Sequence, residues 1–111
     1  MSSSNNDKII SDAHPHTIKK FELIETYIKS WAQKLMLLDS CSGIIFIDCM
    51  CNSGVYKSDE GEIVYGTPIR VANALLDVAR TYPHKQVQLY FNDYNQKKIE
   101  ELKKHLPEEE R

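Results

Sequence analysis

Residues 44–54 read IIFIDCMCNSG. The first part, IIFID at 44–48, is a short apolar run that ends in an acid. Apolar residues on both faces predict a buried strand of a parallel sheet. The second part, CMCNSG at 49–54, is small or polar and predicts a tight loop at the carboxyl end of that strand.

Working outward, the polar stretch KSDEGE at 57–62 predicts a solvent loop or a hairpin tip. Gly66, Thr67 and Pro68 then open a helix. Thr67 can cap it, Pro68 suits the first helical position, and Gly66 frees the approach. The helix runs to about Arg80 and buries Ile69, Ala72, Leu76 and Ala79, with Val71, Leu75 and Val78 widening the face. Tyr82-Pro83 ends it. QVQLYFN at 86–92 is a second apolar strand, followed directly by Asp93. Asn95 can cap a last helix carrying Ile99, Leu102 and Leu106, which Pro107 stops. Lys97, Lys98, Lys103 and Lys104 on that helix interleave with Glu100 and Glu101, as on a solvated surface.

Upstream, Ile18, Phe21, Ile24, Ile28, Trp31, Leu35 and Leu38 recur at intervals of three and four. They predict an amphipathic helix from Thr17 to Leu38, with Thr17 as its cap. Residues 1–15 read as a flexible tail and 107–111 as a charged end. The order is helix, strand, loop, helix, strand, helix. That is an N-terminal helix plus a βαβα unit, an α/β fold with a parallel sheet. It forms part of a doubly wound, Rossmann-like domain.

The chain has 111 residues, 14 Lys plus Arg against 16 Asp plus Glu, and a net charge of −2. The balance argues against a dedicated nucleic-acid module, which carries a basic surplus. No apolar run approaches the ~20 residues of a membrane span. Three cysteines without a disulfide framework place the chain in a reducing cytoplasm.

In parallel sheets, ligands bind beyond the carboxyl ends of the strands. Asp48 and Asp93 both stand there. A tight loop after the first strand lets backbone N–H groups face a ligand, and an acid after the second can accept from both hydroxyls of a ribose. Together they suit a nucleoside-containing cofactor. Gly54 to Asp93 is longer than the about 20 residues usual in dinucleotide folds, and the loop is not GxGxxG, which disfavours a nicotinamide dinucleotide. The competing reading is that acids end strands simply as turn formers. Cys41, Cys49 and Cys51 have poor metal-ligand spacing, His14 and His16 could complete four ligands only if the N-terminal tail folds over the loop, and small buried residues are the expected role. Asp48 and Asp93 suit a Mg²⁺ site, yet no basic pattern for a nuclease accompanies them.

From His16 to about Leu106 the chain resembles the N-terminal part of the three-Cys-motif partner family, TcmP. The matching features are His16-Thr17 with Lys20, the segment IIFIDCMCNSGVY, the turn Gly66-Thr67-Pro68, and LYFNDYNQKKIEELKKHL. They stand where the family shows an HT-x-x-K start, a YIDxFAGPG-like loop, a GSP turn, and a strand, acid and helix. That family resembles class I S-adenosylmethionine-dependent methyltransferases. The resemblance implies a methyltransferase-like sheet over 16–106 and S-adenosylmethionine as cofactor. It implies a site at the loop residues Asp48, Cys49, Met50, Cys51, Asn52 and Gly54, with Asp93 on the ribose. Asp48 would lie near the methionine end. The start of the first helix has two readings: a capped end with a solvated Lys20, or a helix across the cofactor cleft with Lys20 or His16 touching ligand or substrate, since helix N-termini favour anionic groups. Cys49 and Asn52 stand where glycines are usual, and Ser53 replaces proline.

Those departures define the alternative, a non-catalytic partner that holds a companion three-Cys-motif protein. The family's domain is longer, and two apolar strands leave sheet edges that natural proteins cover. The expectation is therefore that more chain follows Arg111, or that a second subunit supplies strands at the exposed edge.

Overall fold

A computed structural model describes residues 10–107. In chain order the elements are β1 (Ser11–Asp12), α1 (Pro15–Met36), β2 (Gly43–Asp48), β3 (Val55–Lys57), β4 (Ile63–Tyr65), α2 (Thr67–Thr81), β5 (Gln86–Phe91) and α3 (Gln96–His105). The expected end at 107–111 falls largely outside the described residues, as do residues 1–9 of the expected tail.

The two apolar runs pair with each other. β2 and β5 are parallel, in register from Gly43 opposite Gln86 to Asp48 opposite Phe91. Gly43 is needed there, because a Cβ on it would collide with the backbone oxygen of Gln86. The connection between them carries α2, so β2–α2–β5 is a parallel unit with a helical crossover.

The KSDEGE stretch is a hairpin tip. β3 and β4 run antiparallel around it, and the Gly61 N–H donates to the Ser58 carbonyl at 2.9 Å. β1 adds to the other side of β3 in parallel, with Ser11 opposite Tyr56. The described residues are mixed α/β, with three helices, a two-stranded sheet and a three-stranded sheet.

The core explains the arrangement. Ala32 and Met36 of α1, Val71, Leu75, Val78 and Ala79 of α2, and Ile44 and Val87 of the sheet form one buried cluster. Phe46 and Leu89 pack against it. Side chains alternate along a strand, so these residues define one face of the sheet. A second cluster joins Leu102 of α3 to Cys51, Val55 and Ile69, with Phe91, Ile99 and Leu106 against it. Phe46 and Phe91, with ring centroids 6.1 Å apart, bridge the two.

Several expectations need correction. The strands are not buried on both faces. Ile45, Ile47 and Tyr90 are 56%, 63% and 54% exposed, because both core helices lie on the opposite face. Residues 11–15 are placed and are not a tail. Ser11 and Asp12 pair with β3, and the buried Ala13 donates its N–H to the Lys57 carbonyl at 2.8 Å.

The cap of α1 is His14, not Thr17. Pro15 occupies the first turn, and the His14 carbonyl accepts from the N–H groups of Thr17 and Ile18 at 2.9 and 3.0 Å. Proline's fixed φ starts the helix early. The same helix stops at Met36. Lys85 Nζ donates to the Met36 and Leu38 carbonyls at 2.5 and 2.7 Å, satisfying groups a helix end leaves open.

Gly66, not Thr67, caps α2. Asn95 caps α3 as its sequence predicts, accepting from the Lys97 N–H at 3.0 Å. Lys98 is buried, unlike the solvated residue expected. Four residues before Leu102, it shares that residue's face of α3, where its aliphatic stem covers apolar surface. Among the described residues, no helix is long and apolar enough to cross a membrane.

Candidate functional site

Parallel pairing of β2 and β5 brings their carboxyl ends side by side, and with them Asp48 and Asp93. The loops beyond are tied by backbone. Asn92 N–H donates to the Asp48 carbonyl at 2.9 Å, and Cys51 N–H donates to the Asn92 carbonyl at 2.9 Å. The next amide, of Asn52, donates to Asp93 Oδ2 at 3.0 Å, while Asp93 Oδ1 accepts from Asn95 N–H at 3.0 Å. Asp48 Oδ1 accepts from Met50 N–H at 3.1 Å.

The loop reverses direction through two left-handed residues, Asn52 at φ 61° and Gly54 at φ 75°. Asparagine tolerates that region better than most side chains. Asn52 is further held by its own side chain. Its Oδ1 accepts from Ser53 N–H at 2.9 Å, and its Nδ2 donates to the Tyr56 hydroxyl at 3.3 Å. Gly54 serves packing as well as turning. A Cβ there would lie 3.0 Å from Leu102 Cδ1 and from Pro68 Cγ.

The three cysteines are free and sit in different surroundings. Cys49 is exposed, Cys41 is half-buried, and Cys51 is buried. The Cys51 thiol is pushed up to about 11, first by burial and then by the carboxylates of Asp48 and Asp93. It is a core residue and not a nucleophile at neutral pH. Among the described residues, no group of three His, Cys, Asp or Glu side chains is arranged to hold a metal ion.

The predicted residues therefore divide. Asp48, Cys51, Asn52, Gly54 and Asp93 come together at the strand ends. Cys49 and Met50 project from the loop tip as exposed side chains. Lys20 is exposed on α1 and makes no side-chain hydrogen bond or ion pair among the described residues.

No family model, curated protein or solved structure matches this chain. The N–H groups of Met50, Cys51, Asn52 and Ser53 all donate to acceptors within the chain. They do not form an open cradle for an anionic or carboxylate group. Asp93 is different. A carboxylate has about four lone-pair sites, and the two bonds it accepts leave capacity for two ligand hydroxyls. Acceptor capacity is therefore open at Asp93, whereas the four loop amides are already engaged.

Tyr56 belongs to the site and was not singled out by sequence. Its ring packs on Phe21 with centroids 4.9 Å apart, and its hydroxyl meets Asn52. Burial raises its pKa, the Asn52 hydrogen bond opposes that, and Asp48, Cys51 and Asp93 add to it. The available signal was an aromatic two residues after the glycine that ends the loop.

Proposed function

We propose that this chain is an S-adenosylmethionine-binding, methyltransferase-like domain of the three-Cys-motif partner type, with β2–α2–β5 as the start of a Rossmann-like sheet. The observation that carries the reading is the Asp93 carboxylate at the carboxyl end of β5, fixed against the loop that follows β2. Asp93 would hold the ribose hydroxyls, and Asp48, which has one oxygen engaged by Met50, would reach the ammonium group. The cofactor supplies an electrophilic methyl group when bound. The chain's own contribution is to bind and orient it. Calorimetric titration with S-adenosylmethionine and S-adenosylhomocysteine tests the reading. Binding in the micromolar to millimolar range is expected, and a folded protein that takes up neither at millimolar concentration overturns it.

A second reading is favoured by the closed loop. Four amides that would face a cofactor are committed within the chain, and Cys49 and Asn52 occupy positions where the resembled family has glycine. Such a scaffold would act as a non-catalytic partner of a three-Cys-motif protein. Its free surface would then be the uncovered sheet face with Ile45, Ile47 and Tyr90, or the neighbouring sheet edge. Co-purification that is independent of added cofactor supports this reading. If the Cys49→Gly, Asn52→Gly double variant gains cofactor binding, loss of the loop's function is the explanation.

A further inference from the structure

The left-handed backbone at Asn52 is the pivot of the site, because that residue's N–H is what Asp93 Oδ2 accepts. A non-glycine residue stays in this region only when its surroundings hold it there. Two bonds of the Asn52 side chain do so, and one of them comes from outside the loop. Asn52 Nδ2 donates to the hydroxyl of Tyr56 on β3.

Tyr56 is itself well fixed. Its ring lies against Phe21 of α1, tilted 45°. On another side it covers the Cα of Gly66, where an added Cβ would collide with Tyr56 Cε1 and lie 3.4 Å from Phe21 Cζ. Gly66 N–H in turn donates to the Gly54 carbonyl at 2.7 Å. The phenol is thus seated between the first turns of α1 and the start of α2, and its oxygen faces the loop. Burial and the carboxylates of Asp48 and Asp93 push its pKa up, so it is a neutral hydroxyl at physiological pH.

We propose that Tyr56 is a positioning residue of this site: its hydroxyl holds the Asn52 side chain and thereby keeps the Asn52 N–H aimed at Asp93. The proposal rests on the reading of Asp93 as the nucleoside-binding acid for its functional consequence, but not for its geometry. Tyr56 need not touch the ligand. It sets the direction of a carboxylate that does.

The test compares Tyr56→Phe in two backgrounds, the natural chain and Asn52→Gly. Phenylalanine keeps the ring contacts with Phe21 and Gly66 and removes only the hydroxyl. Glycine at 52 lacks the Nδ2 donor and adopts positive φ without support. Amide hydrogen exchange at residue 52, read by NMR, should quicken about five- to tenfold in Tyr56→Phe, the effect of losing one modest hydrogen bond. In the Asn52→Gly background the same substitution should change that rate less than about twofold, because the coupling is gone. S-adenosylhomocysteine affinity, measured on the same proteins, should weaken several-fold in the first background and not in the second.

Unchanged exchange at Asn52 in Tyr56→Phe overturns the proposal. So does an equal effect in both backgrounds, which would mark a general loosening of the fold. If the natural chain fails to bind S-adenosylhomocysteine while exchange behaves as expected, the positioning role stands and the cofactor reading falls.

Discussion

The backbone N–H of Asn52 donates to Asp93 Oδ2 at 3.0 Å, joining two residues that are 41 apart in the chain. This bond makes Asp93 structural before it is functional. Its other oxygen holds Asn95 N–H, so one carboxylate fixes the loop after β2 and the turn before α3. Asp93→Ala leaves both amides without their acceptor and is expected to destabilise the fold by about 1–3 kcal/mol. Asp93→Asn keeps one acceptor oxygen and is expected to fall between the two. Urea unfolding of the three proteins checks the order. An alanine variant as stable as the natural chain would show that the two loops hold without this tie.

Gly54 and Gly61 both have positive φ, 75° and 83°, yet their surroundings differ. Nothing lies within 4 Å of a Cβ built on Gly61, whereas Leu102, Pro68 and Ile69 crowd one on Gly54. Alanine at 61 is expected to cost about 1 kcal/mol, the backbone strain alone. Alanine at 54 adds overpacking, for a total of about 2–4 kcal/mol. The difference between the two variants in thermal or urea unfolding isolates the packing role of Gly54, and equal losses would refute that role.

Much of this was legible because its signals are local. Pro68 after Gly66, the Asn95 cap and the apolar runs at 44–48 and 86–91 mark their elements within a few residues. β1 was not legible, since the dipeptide Ser11-Asp12 has no pattern of its own and becomes a strand only by pairing with Tyr56 and Lys57. His14 lacks a preferred capping side chain, and its role follows from Pro15. The strand pattern at IIFID likewise does not encode on which side helices will pack. Asp48 and Asp93 could be placed at the strand ends from the strand pattern, but their engagement by the amides of Met50, Asn52 and Asn95 depends on how the loops meet. Tyr56 stayed hidden for the same reason, as its partners Phe21 and Asn52 come from two other elements.

The uncovered sheet face predicts a contrast in mutational cost. Ile47 is 63% exposed, whereas Leu75 is fully buried in the core between α1, α2 and the sheet. Ile47→Thr is therefore expected to change stability by no more than about 0.5 kcal/mol, as at other surface positions. Leu75→Ala should lose about 2–5 kcal/mol through transfer and cavity terms. Urea unfolding at several protein concentrations checks both. A loss at Ile47 comparable to that at Leu75, growing with concentration, would mean that a second copy covers this face in solution.

Cys51 makes a prediction about pH with a definite sign. Its thiol is held at about 11 against 9.0 when unfolded, chiefly by burial, with Asp48 and Asp93 adding to the effect. Below the unfolded value the thiol is protonated in both states, and its contribution to stability is fully present. Between 9.0 and about 11 only the unfolded chain ionises, so this contribution is lost as pH rises through that window. The loss should reach on the order of 2–3 kcal/mol. Other groups titrate in the same range, so the measurement is the difference between the natural chain and Cys51→Ala. That difference should stay constant from neutral pH to about 9 and then shift against the natural chain. A thiol reagent at neutral pH should label the exposed Cys49 readily and Cys51 only on unfolding. Labelling of Cys51 in the folded protein at the rate of Cys49, or a flat stability difference across the window, would show that the loop after β2 opens far more readily than its hydrogen bonds to Asn92 and Asp93 imply.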